Sequence, residues 1–442
     1  MLLRFRVGNH KSLRSEQEFN LIATTSKDHA ENLAHPDGIG EAVVRTAAVY
    51  GANASGKSNL VDAIFYMARA VCQSQRYWAP QSRIVTFPFL LDQDSDQRPF
   101  LLDHGSEQRP SLYEVDLLLG GVRYQYGFTL HSQRVLEEWL YSYAHGRRST
   151  LFTRSSASDR PIKPGRTFTG TRAIEALTRD NSLFLSAAAQ SNYSKILPIY
   201  DWFSSARFVF PQDLHGAERH LQTQSMLSEH ASEIIDLLRI ADLGIVGLSL
   251  IKREPPDSSY YPGASRFEFA SDLRQSKVWG DGFGSLPDEI MLHHRTVEGD
   301  GLALPWETES HGTQAWFRLT GPIVNALLNG TTLVVDELDA SLHPMLSLEI
   351  TRLFNDSSLN PKNAQLLFTT HDTNLLGADV LRRDQVWFTE KDEAGATHLY
   401  SLADFMPRKN ANQERGYLQG RFGAIPFVGA TDFLQTLGAE DA

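Results

Sequence analysis

The sequence predicts an α/β fold on three observations. An apolar run, Ala47–Tyr50, enters a glycine-bearing turn and then a helical pattern from Lys57 to about Val71. Apolar runs return at Leu333–Val335, Leu366–Thr369 and Gln385–Thr389, the strand–helix–strand alternation of a parallel sheet. Between these ends, from Thr171 to about Leu250, apolar residues such as Ile234, Ile235, Leu237, Leu238 and Ala241 recur at helix spacing, so a helical insertion is expected to split the α/β body.

The elements follow in order. Leu2–Val7 reads as a strand, Asn9–Ser15 as a polar turn, and the alternation at Glu18–Ile22 as a second strand. Residues 26–41, with Pro36, Gly38 and Gly40, read as a loop. Residues 84–130 are expected to be strands separated by turns, beginning with one at 84–91. Leu112–Leu119 and Val122–Leu130 meet at Gly120-Gly121 as a hairpin. Residues 145–170 are basic and Ser/Thr-rich (Arg147, Arg148, Arg154, Arg160, Lys163 and Arg166) and read as a solvated surface loop that could touch nucleic acid only secondarily. Residues 252–265 are a breaker. The lobes expected are 1–170, a mainly helical 171–294, and 295–442. No internal repeat and no long heptad tract is present, so a long coiled coil is not expected.

The chain has 442 residues, 41% hydrophobic and 21% charged, the composition of a folded protein with a core. No apolar stretch reaches the ~18–20 residues of a membrane span. The start has no signal-peptide core, and the single cysteine, Cys72, leaves no disulfide framework or cysteine zinc site, so a reducing cytoplasm is expected. Cys72 itself reads as a small helix residue. Lys and Arg number 42 against 53 Asp and Glu, a net charge of −11. Nucleic-acid affinity rests on basic phosphate contacts, so this balance disfavours a dedicated nucleic-acid binder.

The most specific pattern is Gly51-Ala52-Asn53-Ala54-Ser55-Gly56-Lys57-Ser58, followed by Asn59. It fits G-x-x-x-x-G-K-[ST] and has the required strand before it and helix after it. The glycines let backbone N–H groups turn inward toward phosphate oxygens, and the helix N-terminus adds its dipole. Lys57 reaches the outer phosphates of ATP, and Ser58 offers its hydroxyl to Mg²⁺. Such a loop needs an acidic partner at the end of an apolar strand, which Leu333-Val334-Val335-Asp336-Glu337 supplies. Asp336 is placed to hold Mg²⁺, and Glu337 to act as general base toward water.

Further segments carry a resemblance. Leu338-Asp339-Ala340-Ser341-Leu342-His343-Pro344 looks like the D-loop of ABC-type ATPases. Leu366–Asp372 (LLFTTHD) looks like their strand ending in a switch histidine, here His371. Glu309–Gln314 (ESHGTQ) resembles a degenerate signature loop, in which Ser310 and Gly312 are the functional positions. An ordinary helix N-cap at Ser310 or Thr313 is the plain alternative there. Phosphate loop, signature, Walker B, D-loop and switch histidine stand in ABC order, with a large insertion between halves, as in the SMC/RecF/OLD-like branch. Phe5–Leu13 looks like that branch's N-terminal strand and turn, with His10 in place of the usual Phe, and this implies that Asn9, Lys11 and Ser12 lie near the nucleotide. Tyr50–Leu60, Asn181–Ser186, Glu309–Thr313, Asp384–Glu390 and Arg421–Phe427 more specifically resemble the stand-alone AAA-family ATP-binding proteins of bacterial phage-defence operons, of the AbiL ATPase type and, more remotely, the AriA ATPase of PARIS systems.

The resemblance implies an ABC-type ATPase head, a homodimer or higher homo-oligomer that sandwiches ATP. Lys57, Ser58, Asp336, Glu337 and His371 would come from one subunit, with Ser310, Gly312 and Asp339 from the other. It implies ATP hydrolysis, and control of a separately encoded effector protein, a nuclease being one candidate. Two other readings stay open: a RecF-like DNA-repair ATPase, and a slow nucleotide-dependent scaffold. The glutamine of an ABC Q-loop has no clear place, Gln93 and Gln97 being the candidates, and no nuclease motif follows the head. Trp139, Trp316 and Trp387 read as core, His293-His294 as a polar surface turn, and residues 435–442 as an ordinary terminus.

Overall fold

The computed structural model describes residues 1–91, 109–144, 146–215, 220–241, 244–251, 289–297, 301–406 and 412–426. Its strands run as β1 Leu2–Gly8, β2 Gln17–Asn20, β3 Leu33–Ala34, β4 Val43–Val44, β5 Thr46–Tyr50, β6 Ser111–Leu119, β7 Val122–Leu130, β8 Val135–Ala144, β9 Arg147–Ser155 and β10 Ile162–Pro164. They continue as β11 Arg207–Val209, β12 Ile245–Ile251, β13 Glu289–Arg295, β14 Gly301–Pro305, β15 Thr332–Val335, β16 Gln365–Thr369, β17 Val386–Lys391 and β18 Thr397–Ser401. Two compact units result, one of residues 1–211 with 325–442, the other of residues 212–324.

In the first unit, β5 is buried along its whole length, as are β15 and β16. Apolar runs without alternation are what a strand covered on both faces requires. These strands form a six-stranded sheet in the order β11-β15-β16-β5-β17-β18, parallel except for β18. The helix Lys57–Tyr77 leaves β5 through the glycine-bearing turn and buries Leu60, Ile64, Met67 and Val71. A seven-stranded antiparallel sheet, β10-β9-β8-β7-β6-β1-β2, shares one hydrophobic cluster with that helix. The β6–β7 hairpin turns at Gly120 and Gly121, both at positive φ (55° and 74°), which suits the twist of a two-residue turn.

Several expectations need correction. Residues 84–91 form no strand; Ile84 and Phe87 are tied by single backbone bonds to Ser132 and Lys11. The basic stretch is a loop only in part: Arg160 and Arg166 lie exposed in connecting segments, but Arg147, Arg148 and Arg154 stand on β9 and Lys163 on β10, and Arg154 faces inward. Its guanidinium donates to the Ser182 and Arg179 carbonyls and lies 3.7 Å from Glu138. Glu138 in turn accepts from the N–H groups of Phe184 and Leu185 at 2.7 and 2.9 Å, opening the helix Phe184–Gln190 within the Asn181–Ser186 motif. Residues 171–211 belong to the first unit, not to an insertion. The reason is β11, which pairs in parallel with β15 in the register Val209↔Val335. Gln93 and Gln97, the breaker 252–265, Phe427 and residues 435–442 lie outside the described residues.

Among its described residues the second unit carries a sheet beside its helices. It holds the helix His220–Ile240, broken at His230, and most of the helix His311–Asn329. Beside them is an antiparallel sheet β12-β13-β14. Residues 245–251, read as the end of a helical stretch, are β12. His293 and His294 are adjacent on β13 and not in a turn: His293 meets Ser249 and His294 meets Glu309. Trp316 is fully buried, its Nε1 donating to the Leu237 carbonyl at 3.1 Å. In the first unit Trp387 is buried, while Trp139 is half-buried with Nε1 on Glu114. Cys72 lies in the helix Lys57–Tyr77, where burial pushes its thiol up to about 12. No helix among the described residues is long and apolar enough to cross a membrane.

Candidate nucleotide site

The carboxyl ends of β5, β15 and β16 lie side by side, since β16 pairs with both neighbours in parallel. Ligands of open parallel sheets bind at that edge. The turn from Gly51 to Gly56 leaves β5 there. Gly51 and Gly56 stand at φ 156° and 112° and Ala54 at 62°. A Cβ on Gly56 would come within 2.2 Å of Thr397 Oγ1, so glycine is required by contact as well as by backbone.

The turn is held by hydroxyls from remote segments. Thr389 Oγ1 lies 2.6 Å from Ser55 Oγ, and Thr397 Oγ1 donates to the Ser55 carbonyl at 2.7 Å. Ser12 Oγ accepts from Asn59 Nδ2 at 2.6 Å and lies 2.7 Å from Thr397 Oγ1. The N-terminal turn therefore does reach the phosphate loop. The Asn59 side chain, directly after the phosphate loop, ties the two together through Ser12. Lys11 pairs with Asp62 at 2.7 Å, and Asn9 accepts from the Phe89 N–H. His10 is fully buried between Tyr113 Oη at 2.8 Å and Asp62 Oδ2 at 2.9 Å.

Lys57 is buried and its Nζ donates to the Gly51 and Ala52 carbonyls at 2.9 and 3.1 Å. Burial lowers its pKa, against the opposing pull of Glu337, Asp336 and Asp339. Asp336 caps β15 with its carboxylate buried. Its Oδ1 accepts from Ser58 Oγ at 3.2 Å and from Thr369 Oγ1 at 2.7 Å. Thr369 also accepts from the Glu337 N–H at 2.7 Å. Glu337 sits in the left-handed region at φ 55°. The Asp339 carboxylate accepts from the backbone N–H of His371 in its own chain, at 3.2 and 3.3 Å. Burial first and the Lys57 charge second hold the His371 imidazole below its ordinary value.

Ser58, Asp336, Glu337, Asp339 and His371 are thus brought together beside the phosphate loop. A cavity of about 730 Å³ opens there, lined by Gly51–Ser55, His371, Tyr417 and Ile425 among others. Among the described residues no group of three or more His, Cys, Asp or Glu could cage a metal. The donor set fits Mg²⁺ bound by one hydroxyl and one carboxylate, with water and phosphate oxygens completing it. Thr369, Thr389 and Thr397 were missed from sequence; the only signal was a polar residue ending or opposing an apolar run.

The signature segment belongs to the second unit. Ser310 Oγ accepts from the Thr313 N–H at 3.1 Å and lies 2.8 Å from Thr313 Oγ1, the N-cap arrangement for the helix His311–Asn329. Gly312 stands in that helix's first turn.

No curated protein matches this chain. The SMC head domain with an extended coiled coil, bound to the C-terminal domain of ScpA, from Pyrococcus furiosus aligns over 92% of this chain and 97% of its own, at 12% identity and a TM-score of 0.41. The cbiO1 structure from Clostridium perfringens, part of the ABC transporter complex cbiONQ, aligns over 52% of this chain and 69% of its own, at 15% identity and a TM-score of 0.22. A family defined in sequence space covers residues 47–377, from β5 and the phosphate loop through Walker B to His371. The chain belongs to that family, the AAA domain described as "putative AbiEii toxin, Type IV TA system".

Proposed function

We propose that the chain binds and hydrolyses ATP, dimerises through its nucleotide sites, and so controls a separately encoded effector in bacterial anti-phage defence. One observation carries the enzymatic part: Asp336 engages both Ser58 and Thr369 while Glu337, Lys57 and His371 stand around the same loop. Lys57 would exchange its loop carbonyls for phosphate oxygens, a stronger charge-assisted contact. Ser58 and Asp336 would hold Mg²⁺, which when bound offsets phosphate charge. Glu337 would orient and deprotonate the attacking water, and His371, neutral at pH 7, would donate a ring N–H to the terminal phosphate.

The dimer reading rests on the order of the motifs. The Ser310–Gly312 helix start would offer N–H groups to the nucleotide on a partner subunit. ATP that bridges two subunits favours a closed state, and hydrolysis releases it. The family description, which names toxin–antitoxin systems, supports a role in regulated toxicity. The net charge of −11 weighs against a DNA-repair role.

The test is steady-state ATPase rate and mass by light scattering, for wild type and Glu337→Gln, with and without duplex DNA. The expected result is turnover lost in the variant, a larger assembly formed with ATP, and no response to DNA. Wild-type turnover in Glu337→Gln would remove the general base, and strong DNA stimulation would favour the repair reading.

A further inference from the structure

We infer that Lys391 is a second phosphate-binding cation of this site, holding the inner phosphates of a bound nucleoside di- or triphosphate. The inference rests on the nucleotide-site reading above and adds a residue to it. Lys391 is the last residue of β17, and both of its neighbours on the same sheet face grip the phosphate loop. Thr389, two residues back, lies 2.6 Å from Ser55 Oγ. Thr397, directly opposite Lys391 in the β17–β18 register, donates to the Ser55 carbonyl at 2.7 Å. Residues two apart on a strand, and residues directly opposite across a ladder, share a face. The Lys391 stem therefore leaves the sheet on the phosphate-loop side. Glu390 alternates to the other face, where its carboxylate accepts from Tyr400 Oη at 3.0 Å, and it too lines part of the 730 Å³ cavity.

Two cavities adjoin Lys391. One is the 730 Å³ space lined by Gly51–Ser55 and His371. The other, of about 410 Å³, is lined by Lys11, Ser12, Phe87 and Phe89, with Lys391 on its wall as well. His371 lines only the first. A terminal phosphate near His371 and a nucleoside end toward the apolar second groove would leave the inner phosphates beside Lys391. The side chain is exposed and makes no hydrogen bond or ion pair among the described residues. An uncompensated ammonium on a flexible stem, beside a loop built to gather anions, has phosphate as its natural partner. Lys57 does not duplicate it, being buried against the Gly51 and Ala52 carbonyls.

The test is ATP and ADP affinity, by displacement of a fluorescent nucleotide, for wild type, Lys391→Gln, Lys391→Arg and Lys57→Ala. Lys391→Gln should weaken ATP and ADP alike by about tenfold, the worth of one charge-assisted contact, and should flatten the loss of affinity with added salt. Lys391→Arg should recover most of the loss. Unchanged affinity in Lys391→Gln, or a loss confined to ATP, overturns the assignment. If wild type binds no nucleotide, or Lys57→Ala binds like wild type, the nucleotide-site reading itself fails and this inference falls with it.

Discussion

Thr369 Oγ1 donates to Asp336 Oδ1 at 2.7 Å and accepts from the backbone N–H of Glu337. One hydroxyl thus fixes both acidic residues that follow β15 from the neighbouring strand. The β15–β16 register sets this up, since Val335 pairs with Phe368 and the next residue on each strand is Asp336 and Thr369. Thr369→Val keeps the shape and removes the hydroxyl. A lost hydrogen bond to a buried carboxylate costs roughly 1.5–3 kcal/mol, which predicts a turnover decrease of about ten- to a hundredfold. Nucleotide affinity should change much less, and Thr369→Ser should restore most of the rate. Steady-state kinetics with nucleotide titration checks this; equal loss in Thr369→Ser would show that the hydroxyl is not the active element.

Gly56→Ala tests the other wall of the site. The new methyl would meet Thr397 Oγ1 at 2.2 Å from a backbone at φ 112°. Neither strain has an easy release, because Thr397 is itself held by Ser55 and Ser12. A cost of about 2–4 kcal/mol is expected, as strained backbone and overpacking add, with nucleotide binding lost. Thermal unfolding without nucleotide separates the two effects. Thr397→Gly in the same chain should recover part of the lost stability.

How much was legible follows from how local each feature is. The strands β5, β15 and β16, the helix that follows the Gly51–Gly56 turn, and the β6–β7 hairpin each carry their signal in a short contiguous stretch, and each forms where that signal places it. β11 was not, because a strand of three residues shows no period and takes its identity from pairing with β15. The hydroxyls of Ser12, Thr369, Thr389 and Thr397 come from separate segments and converge only in the fold. Arg154 read as solvated because its compensation is remote. Glu138 sits on the adjacent strand and the accepting carbonyls beyond β10. Arg154→Ala, neutral for a surface loop, should instead destabilise the protein by about 3–5 kcal/mol, since it strands a fully buried carboxylate. Chemical denaturation checks it; a change under about 0.5 kcal/mol, typical of exposed positions, would refute the inward orientation.

His10 supplies a pH dependence whose sign can be worked out. Its imidazole is fully buried, and burial holds its pKa below the ordinary 6.5 although Asp62 pulls the other way and Lys11 adds to the lowering. The folded protein therefore takes up this proton less readily than the unfolded chain. Stability from this group is fully present above the unfolded value and is lost as the pH falls through 6.5 toward the folded value. His10→Phe keeps an aromatic ring at this position and removes the titration. Asp62 keeps Lys11 as its partner at 2.7 Å, so no bare carboxylate is left behind. The expected result is a smaller loss of unfolding free energy between about pH 7 and pH 5 in the variant than in wild type, measured by denaturant titration at each pH. The Tyr113 hydroxyl loses its partner, so the variant should begin about 1 kcal/mol less stable at pH 7, and the two curves should converge in acid. Parallel curves would mean that Asp62 compensates the His10 charge fully, so that folding no longer shifts its titration, and this would remove the linkage.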